Sequence, residues 1–213
     1  MIPALEALQR LRMGNQRYVS EMQGSSASTG RDRRHELVAG QHPFAIILGC
    51  SDSRVPAEII FDQGLGDLFV IRVAGNVVAP SQIGSVEFAA SRFGTRLVVV
   101  LGHSFCGAVQ ATLEELEQPA HDRSETLSSI VDRIRPSVEP LLGTSLREQP
   151  DSLLEHAVRA NIRASANQLR HGSQLLETMI GREGLLVVGA EYSLRSGAVE
   201  FFDGLPGGAL LDC

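Results

Sequence analysis

Runs that are apolar at every position leave a chain few ways to fold, and this sequence contains several. Phe44-Ala45-Ile46-Ile47-Leu48, Leu97-Val98-Val99-Val100-Leu101 and Leu185-Leu186-Val187-Val188 carry no polar side chain. A strand with one wet face alternates polar and apolar residues. One that is apolar throughout is covered on both faces, the usual state of a parallel sheet between helical layers. A fourth run, Leu68-Phe69-Val70-Ile71-Arg72-Val73, reads the same way. Ala198-Val199-Glu200-Phe201-Phe202 follows the turn-like Arg195-Ser196-Gly197 and is expected to close a hairpin at one edge. The strands are therefore expected over 43–49, 68–73, 96–101, 185–190 and 198–202.

Helical material separates these strands. Ser81 to Phe93 forms a crossover with Ile83, Val86, Phe88 and Ala90 available for burial, and a further helix runs from near Cys106 to Glu117. Residues 123–139 and 151–180 are polar and helical, with Leu154, Val158 and Ile162 as an inward stripe and Pro119, Pro136, Pro140 and Pro150 as punctuation. At the N-terminus, 3–22 places Ala4, Leu8 and Leu11 on one face. A small polar loop, 23–30, and a short basic helix, 31–39, ended by Gly40, follow. The predicted fold class is α/β: a mostly parallel sheet of four strands plus an antiparallel edge strand, flanked by helices, with an N-terminal helical arm. The length suits one domain over 1–213, with the arm at 1–40 and the α/β core at 41–213.

Composition narrows the function classes. A formal net charge of −6 with no Lys/Arg stripe argues against a nucleic-acid binder. No apolar stretch approaches the roughly 20 residues of a membrane span. The start, Met1-Ile2-Pro3-Ala4-Leu5-Glu6, lacks the charged and apolar regions of a signal peptide, so a cytoplasmic location is expected. An odd count of three cysteines points to a reducing compartment, with Cys213 a terminal thiol.

Chemistry concentrates where two of the apolar runs end. Cys50 follows the first, and His103 ends the run of 96–103 with Cys106 three positions on. Neighbouring parallel strands bring all three to one rim, where open α/β sheets place their ligands. Two sulfurs and an imidazole suit Zn²⁺, and three protein ligands leave a tetrahedral position open, as in a catalytic site. In extended backbone Cys50, Asp52 and Arg54 share a face, so Asp52 can either ligate the metal or pair with Arg54.

Blander readings compete. The two cysteines also suit buried apolar positions or a disulfide, and Asp52–Arg54 suits a surface ion pair. Gly102-His103-Ser104-Phe105 begins like a G-x-S-x-G nucleophile elbow, but Cys106 stands where the last glycine is required. His35, His42, His121, His156 and His171 lie in polar or loop contexts without short-spaced Cys or His partners and read as solvated.

Cys50-x-Asp52-x-Arg54, a spacer of about fifty residues and His103-x-x-Cys106 resemble the β-class carbonic anhydrases, a likeness that runs from Asn15-x-Arg17-Tyr18 to the final hairpin. The resemblance implies reversible hydration of CO₂ to bicarbonate and a proton by attack of a zinc-bound hydroxide. It implies one Zn²⁺ per subunit on Cys50, His103 and Cys106, with Asp52–Arg54 as gating dyad and Asp52 a conditional fourth ligand in a closed state. It also implies a substrate-binding Gln41 and an apolar pocket at Phe69, Ala74 and Phe88, with Gly107 offering a backbone N–H. The expected partners are CO₂/bicarbonate and a second subunit, as a homodimer or a dimer of dimers (a homotetramer), with no nucleic acid and no membrane. Some bacterial members hold an inhibitory bicarbonate with a tryptophan three residues before the first cysteine. Here that residue is Ile47, although Arg72 and Tyr192 resemble other members of that site. Alternatives on the same metal are carbon disulfide or carbonyl sulfide hydrolysis, or a non-catalytic zinc module.

Overall fold

A computed structural model describes residues 2–22, 30–117 and 125–207. The loop at 23–29, Pro119, His121 and Cys213 lie outside them. Five strands form one sheet in the order β2-β1-β3-β4-β5: β1 (Ala45–Gly49), β2 (Leu68–Arg72), β3 (Leu97–His103), β4 (Leu186–Tyr192) and β5 (Val199–Asp203). The first three pairings are parallel and β4–β5 is an antiparallel hairpin, as the apolar runs required. Every residue of β1 and β3 is buried.

Alternation splits the core across the two faces. Ile46, Leu48, Val98 and Val100 face one layer, built from α4 (Pro80–Arg92), α5 (Gly107–Glu117), α6 (Glu125–Val138), α7 (Pro150–His171) and α8 (Gln174–Arg182). Ile47, Leu97, Val99 and Leu101 face the other, covered by α1 (Ala4–Val19) and the short α3 (Ala57–Ile60). A short basic helix, α2 (Arg31–Leu37), completes the set. The predicted face of α1 is the buried one: Ala4, Ala7, Leu8 and Leu11 pack on the sheet. Buried Asn15 ties α1 to both neighbours, donating to the carbonyls of Ile60 and Gly197 and accepting from Val199 N–H at 2.8 Å.

Several expectations change in detail. The stretch 151–180 is two helices, parted at Gly172-Ser173, where the Ser173 hydroxyl caps α8. The inward stripe of α7 takes in Leu153 as well as Leu154, which packs half-buried against the same core; one position on a helix is a 100° turn. Pro136 lies inside the last turn of α6 and does not end it. Phe88 is not core: it is 54% exposed, on the outer side of α4. The third strand continues two residues beyond its expected end, through Gly102 to His103.

Strand order explains where a site belongs. The chain passes from β1 to β2 on one side and then returns to place β3 on the other. Such a reversal opens a crevice between the carboxyl ends of β1 and β3. Cys50 follows β1 directly and His103 ends β3.

Candidate metal centre

The donor atoms of Cys50, His103 and Cys106 lie within 4.8 Å of one another, and all three residues are buried. Each is held from a different element. Cys50 leaves β1, His103 ends β3, and Cys106 stands at the N-cap of α5, its carbonyl accepting from Gln110 N–H at 3.0 Å. Both cysteines are free thiols, which removes the disulfide reading.

The imidazole supplies the observation that most favours a metal. His103 Nδ1 lies 3.0 Å from the Ser104 carbonyl, which can only accept, so Nδ1 carries the proton and Nε2 presents a lone pair. That Nε2 is fully buried and has no hydrogen-bond partner. A buried polar atom left in that state is costly unless something absent from the polypeptide coordinates it. The thiols agree. A hydrogen bond from Cys106 draws the Cys50 thiol down to about 4 against the opposing effect of burial, and the neighbouring His103 ring and the backbone N–H groups of Asp52 and Gly75 add to it. Cys106 is pushed up, first by that shared bond and then by burial, although the N–H groups of Val109 and Ala108 at the start of α5 oppose this. Two sulfurs thus face a buried imidazole nitrogen, where a divalent cation fits. The S₂N set matches Zn²⁺.

Asp52 stands at the rim of this triangle, its Oδ2 3.8 Å from His103 Nε2. Arg54 holds it there. The guanidinium donates from Nε to Oδ1 at 2.9 Å and from Nη2 to Oδ2 at 2.7 Å, and the Arg54 N–H reaches Oδ1 at 3.0 Å. This fork, more than any other influence, keeps the Asp52 carboxyl far below the usual carboxylate range. The turn that sets the two side chains together is closed by Val55 N–H on the Asp52 carbonyl.

Other expected site residues are placed as follows. Gly107 is the exposed first residue of α5, next to Cys106, and Ala74 is exposed in the single 3-10 turn Ala74–Asn76. The next residue, Gly75, sits at φ 66°, and a Cβ there would lie 2.7 Å from Ile134 Cδ1, so glycine fits both the backbone and the space. Phe69, half-buried on β2, forms an aromatic group with Phe88 and Phe93, at ring-centroid separations of 5.6–6.2 Å. Gln41 is exposed in the coil before β1, at the opposite end of that strand from Cys50. The strand between them spans on the order of 15 Å, beyond a glutamine's reach. Ser104 makes no nucleophile elbow; its Oγ accepts Leu194 N–H at 3.0 Å and pins the turn after β3. His35, His42, His156 and His171 are all exposed.

Three residues matter more than the sequence suggested. Arg72 places its guanidinium on the carbonyls of Cys50 and Asp52. Buried Asn161 of α7 donates to the Gly75 carbonyl at 2.7 Å, bracing the turn whose N–H reaches Cys50. Tyr192, the strand partner of His103, has its hydroxyl 3.2 Å from that of Tyr18. Ile47 is fully buried and Tyr192 is buried, while Arg72 is exposed with its guanidinium on the Cys50 and Asp52 carbonyls. Arg72 had a sequence signal, a charge ending an otherwise apolar strand; Asn161 had none.

A parallel-cored sheet whose carboxyl rim gathers two buried thiols and a buried imidazole defines an α/β protein with a candidate metal centre. Comparison makes the class specific: this chain belongs to the carbonic anhydrase family, whose profile matches residues 45–199. It is 39% identical over 194 residues to a carbonic anhydrase of Mycolicibacterium smegmatis, covering 91% of each chain. It is also 39% identical over 191 residues to carbonic anhydrase 2 of Mycobacterium tuberculosis, covering 90% of this chain and 89% of that one. Among solved structures, the β-carbonic anhydrase CcaA superposes with a TM-score of 0.72 at 30% identity, over 92% of this chain and 95% of that one. The β-carbonic anhydrase CafA of Aspergillus fumigatus gives 0.72 at 25% identity, over 96% and 93%.

Proposed function

We propose that this protein catalyses the reversible hydration of CO₂ to bicarbonate and a proton, with one Zn²⁺ per subunit held by Cys50, His103 and Cys106. The observation that carries this reading is the orphaned His103 Nε2 facing two thiols, with a carboxylate 3.8 Å away that Arg54 holds off. A purely structural zinc site closes its fourth position with a protein ligand. Here the nearest candidate, Asp52, is engaged elsewhere.

When bound in such a site, Zn²⁺ supplies a water acidified enough to act as a nucleophile near neutral pH. The chain's own groups do the rest. Cys50 and Cys106 would hold the ion as thiolates, giving up their thiol protons, and His103 keeps its tautomer through the Ser104 carbonyl. Asp52, ionised because of Arg54, is an acceptor only; it takes a hydrogen bond from the attacking oxygen and aims a lone pair away from itself. Released from Arg54, Asp52 would be the residue to hold the metal as a fourth ligand, and substrate would then be excluded.

The substrate is linear, small and apolar, so its pocket needs little more than hydrocarbon walls. Phe69, Ala74 and Phe88 provide them, and the Gly107 N–H faces the oxygen that develops charge. Gln41 cannot reach its own chain's centre, so its role in hydrogen-bonding bicarbonate is performed for a second subunit. The exposed Phe88 beside the edge strand β2 belongs with that assembly, a homodimer or pair of dimers. We place the protein in the cytoplasm, where thiolate ligands stay reduced.

Stopped-flow hydration of CO₂, run beside hydrolysis of carbonyl sulfide and carbon disulfide, tests the assignment. CO₂ is expected to be the preferred substrate, with hydration abolished by chelation. Faster turnover of either sulfur compound, or none with any of the three, contradicts it.

A further inference from the structure

Arg72 ends β2 opposite Gly49, beside the loop that carries Cys50 and Asp52. Its Nε donates to the Cys50 carbonyl at 3.0 Å and its Nη2 to the Asp52 carbonyl at 2.5 Å. The backbone beneath it is fixed by the continuing ladder, with Val73 N–H on the Gly49 carbonyl at 3.1 Å and Ser51 N–H on the Val73 carbonyl at 3.3 Å. The Asp52 carbonyl is therefore held twice, by Arg72 and by Val55 N–H, while its carboxylate is held by Arg54. Two arginines grip opposite ends of one residue.

We infer that Arg72 is a positioning residue for the gate: its fork pins the Cys50–Asp52 backbone so that Asp52 pairs with Arg54 and leaves the fourth metal position open. The inference rests on the reading of this centre as a zinc site gated by Asp52. A carboxylate 3.8 Å from His103 Nε2 is a short rotation from the metal. Whether it stays back depends on the backbone that aims it as well as on the partner that pairs it. A planar guanidinium fixes two carbonyls at once, which neither a single ammonium nor an amide reproduces. Arg72 is exposed, so the brace can be released without stranding a buried charge. Its guanidinium holds the carbonyls of Cys50 and Asp52, so an effect that runs through the gate is separated from one that runs through Cys50 by its dependence on the Asp52 carboxylate.

The test uses the full chain with Co²⁺ in place of Zn²⁺ and inorganic azide as the probe, titrated by visible absorption. Azide enters only when the fourth position is open. The wild type binds it. Arg72→Gln is expected to weaken azide binding about tenfold or more, the lower end of what losing an outer-shell partner does at metal sites. Arg72→Lys, which keeps the charge and loses the fork, falls between the two and carries the test if the glutamine variant does not fold. Adding Arg72→Gln to Asp52→Ala leaves azide affinity where Asp52→Ala alone puts it. Unchanged affinity in both Arg72 variants overturns the inference, as does a loss that persists without Asp52. A wild type that takes no azide overturns the gated-zinc reading itself and the inference with it.

Discussion

At the scale of single residues, the proposed function turns on Asp52. Its carboxylate is paired so strongly that it stays ionised well into acid, and the Asp52–Arg54 contribution, complete above the ordinary value of 3.8, is lost as pH falls from there through the depressed native value. Arg54→Ala removes the restraint and lets Asp52 take the fourth position. The variant is expected to keep a full equivalent of zinc and lose about 10–100-fold in kcat/KM for CO₂, measured by stopped flow with metal analysis. Near-wild-type hydration would show that the pair is only a surface contact. Tyr192 is the opposite case. Burial, and then its bond to Tyr18, push it up to about 12 from 10. A raised native value gives stability that is complete below pH 10 and lost as pH climbs towards 12. The chain has 2 tyrosines and its 19 basic residues are all arginine, so little else changes charge in that window. The urea midpoint of the zinc-loaded protein is expected to fall between pH 10 and 12, and more steeply than in Tyr192→Phe. Parallel declines would contradict this account.

At the scale of elements, the site depends on how closely α7 approaches the end of β3. A Cβ at Gly102 would lie 2.5 Å from both Cδ1 and Cγ1 of the fully buried Ile162, and 3.3 Å from Asn76 Oδ1. Gly102→Ala therefore forces α7 away or displaces His103. It is expected to destabilise the metal-free protein by about 1–3 kcal/mol in urea unfolding and to weaken zinc binding. Unchanged values in both would show that the contact yields freely. The sequence made much of this level legible. Unbroken apolar runs identified β1 and β3, and the cysteines and histidine at their ends located the rim. It did not show Asn161, because a lone asparagine in a polar helix looks solvated until tertiary packing points it at Gly75. It also left out Leu153, buried beside half-buried Leu154, since helical phase is set by packing and the two adjacent leucines match the stripe almost equally well.

At the scale of the molecule, the chain supplies a complete donor set and an incomplete pocket. Phe88, expected from periodicity to be buried, is 54% exposed, and Gln41 stands at the wrong end of β1 for its own centre. Sequence periodicity within one chain does not distinguish a surface that meets its own core from one that meets a second subunit. The family resemblance supplied that reading, while spacing alone reached the metal. The whole account turns on one ion per chain being necessary for the reaction. Adding Zn²⁺ stepwise to chelator-treated protein while recording CO₂ hydration tests it most directly. Activity is expected to rise from background to a plateau at one equivalent and to stay at background in Cys106→Ser. Hydration by the metal-free protein, or an equal response in that variant, would contradict the account.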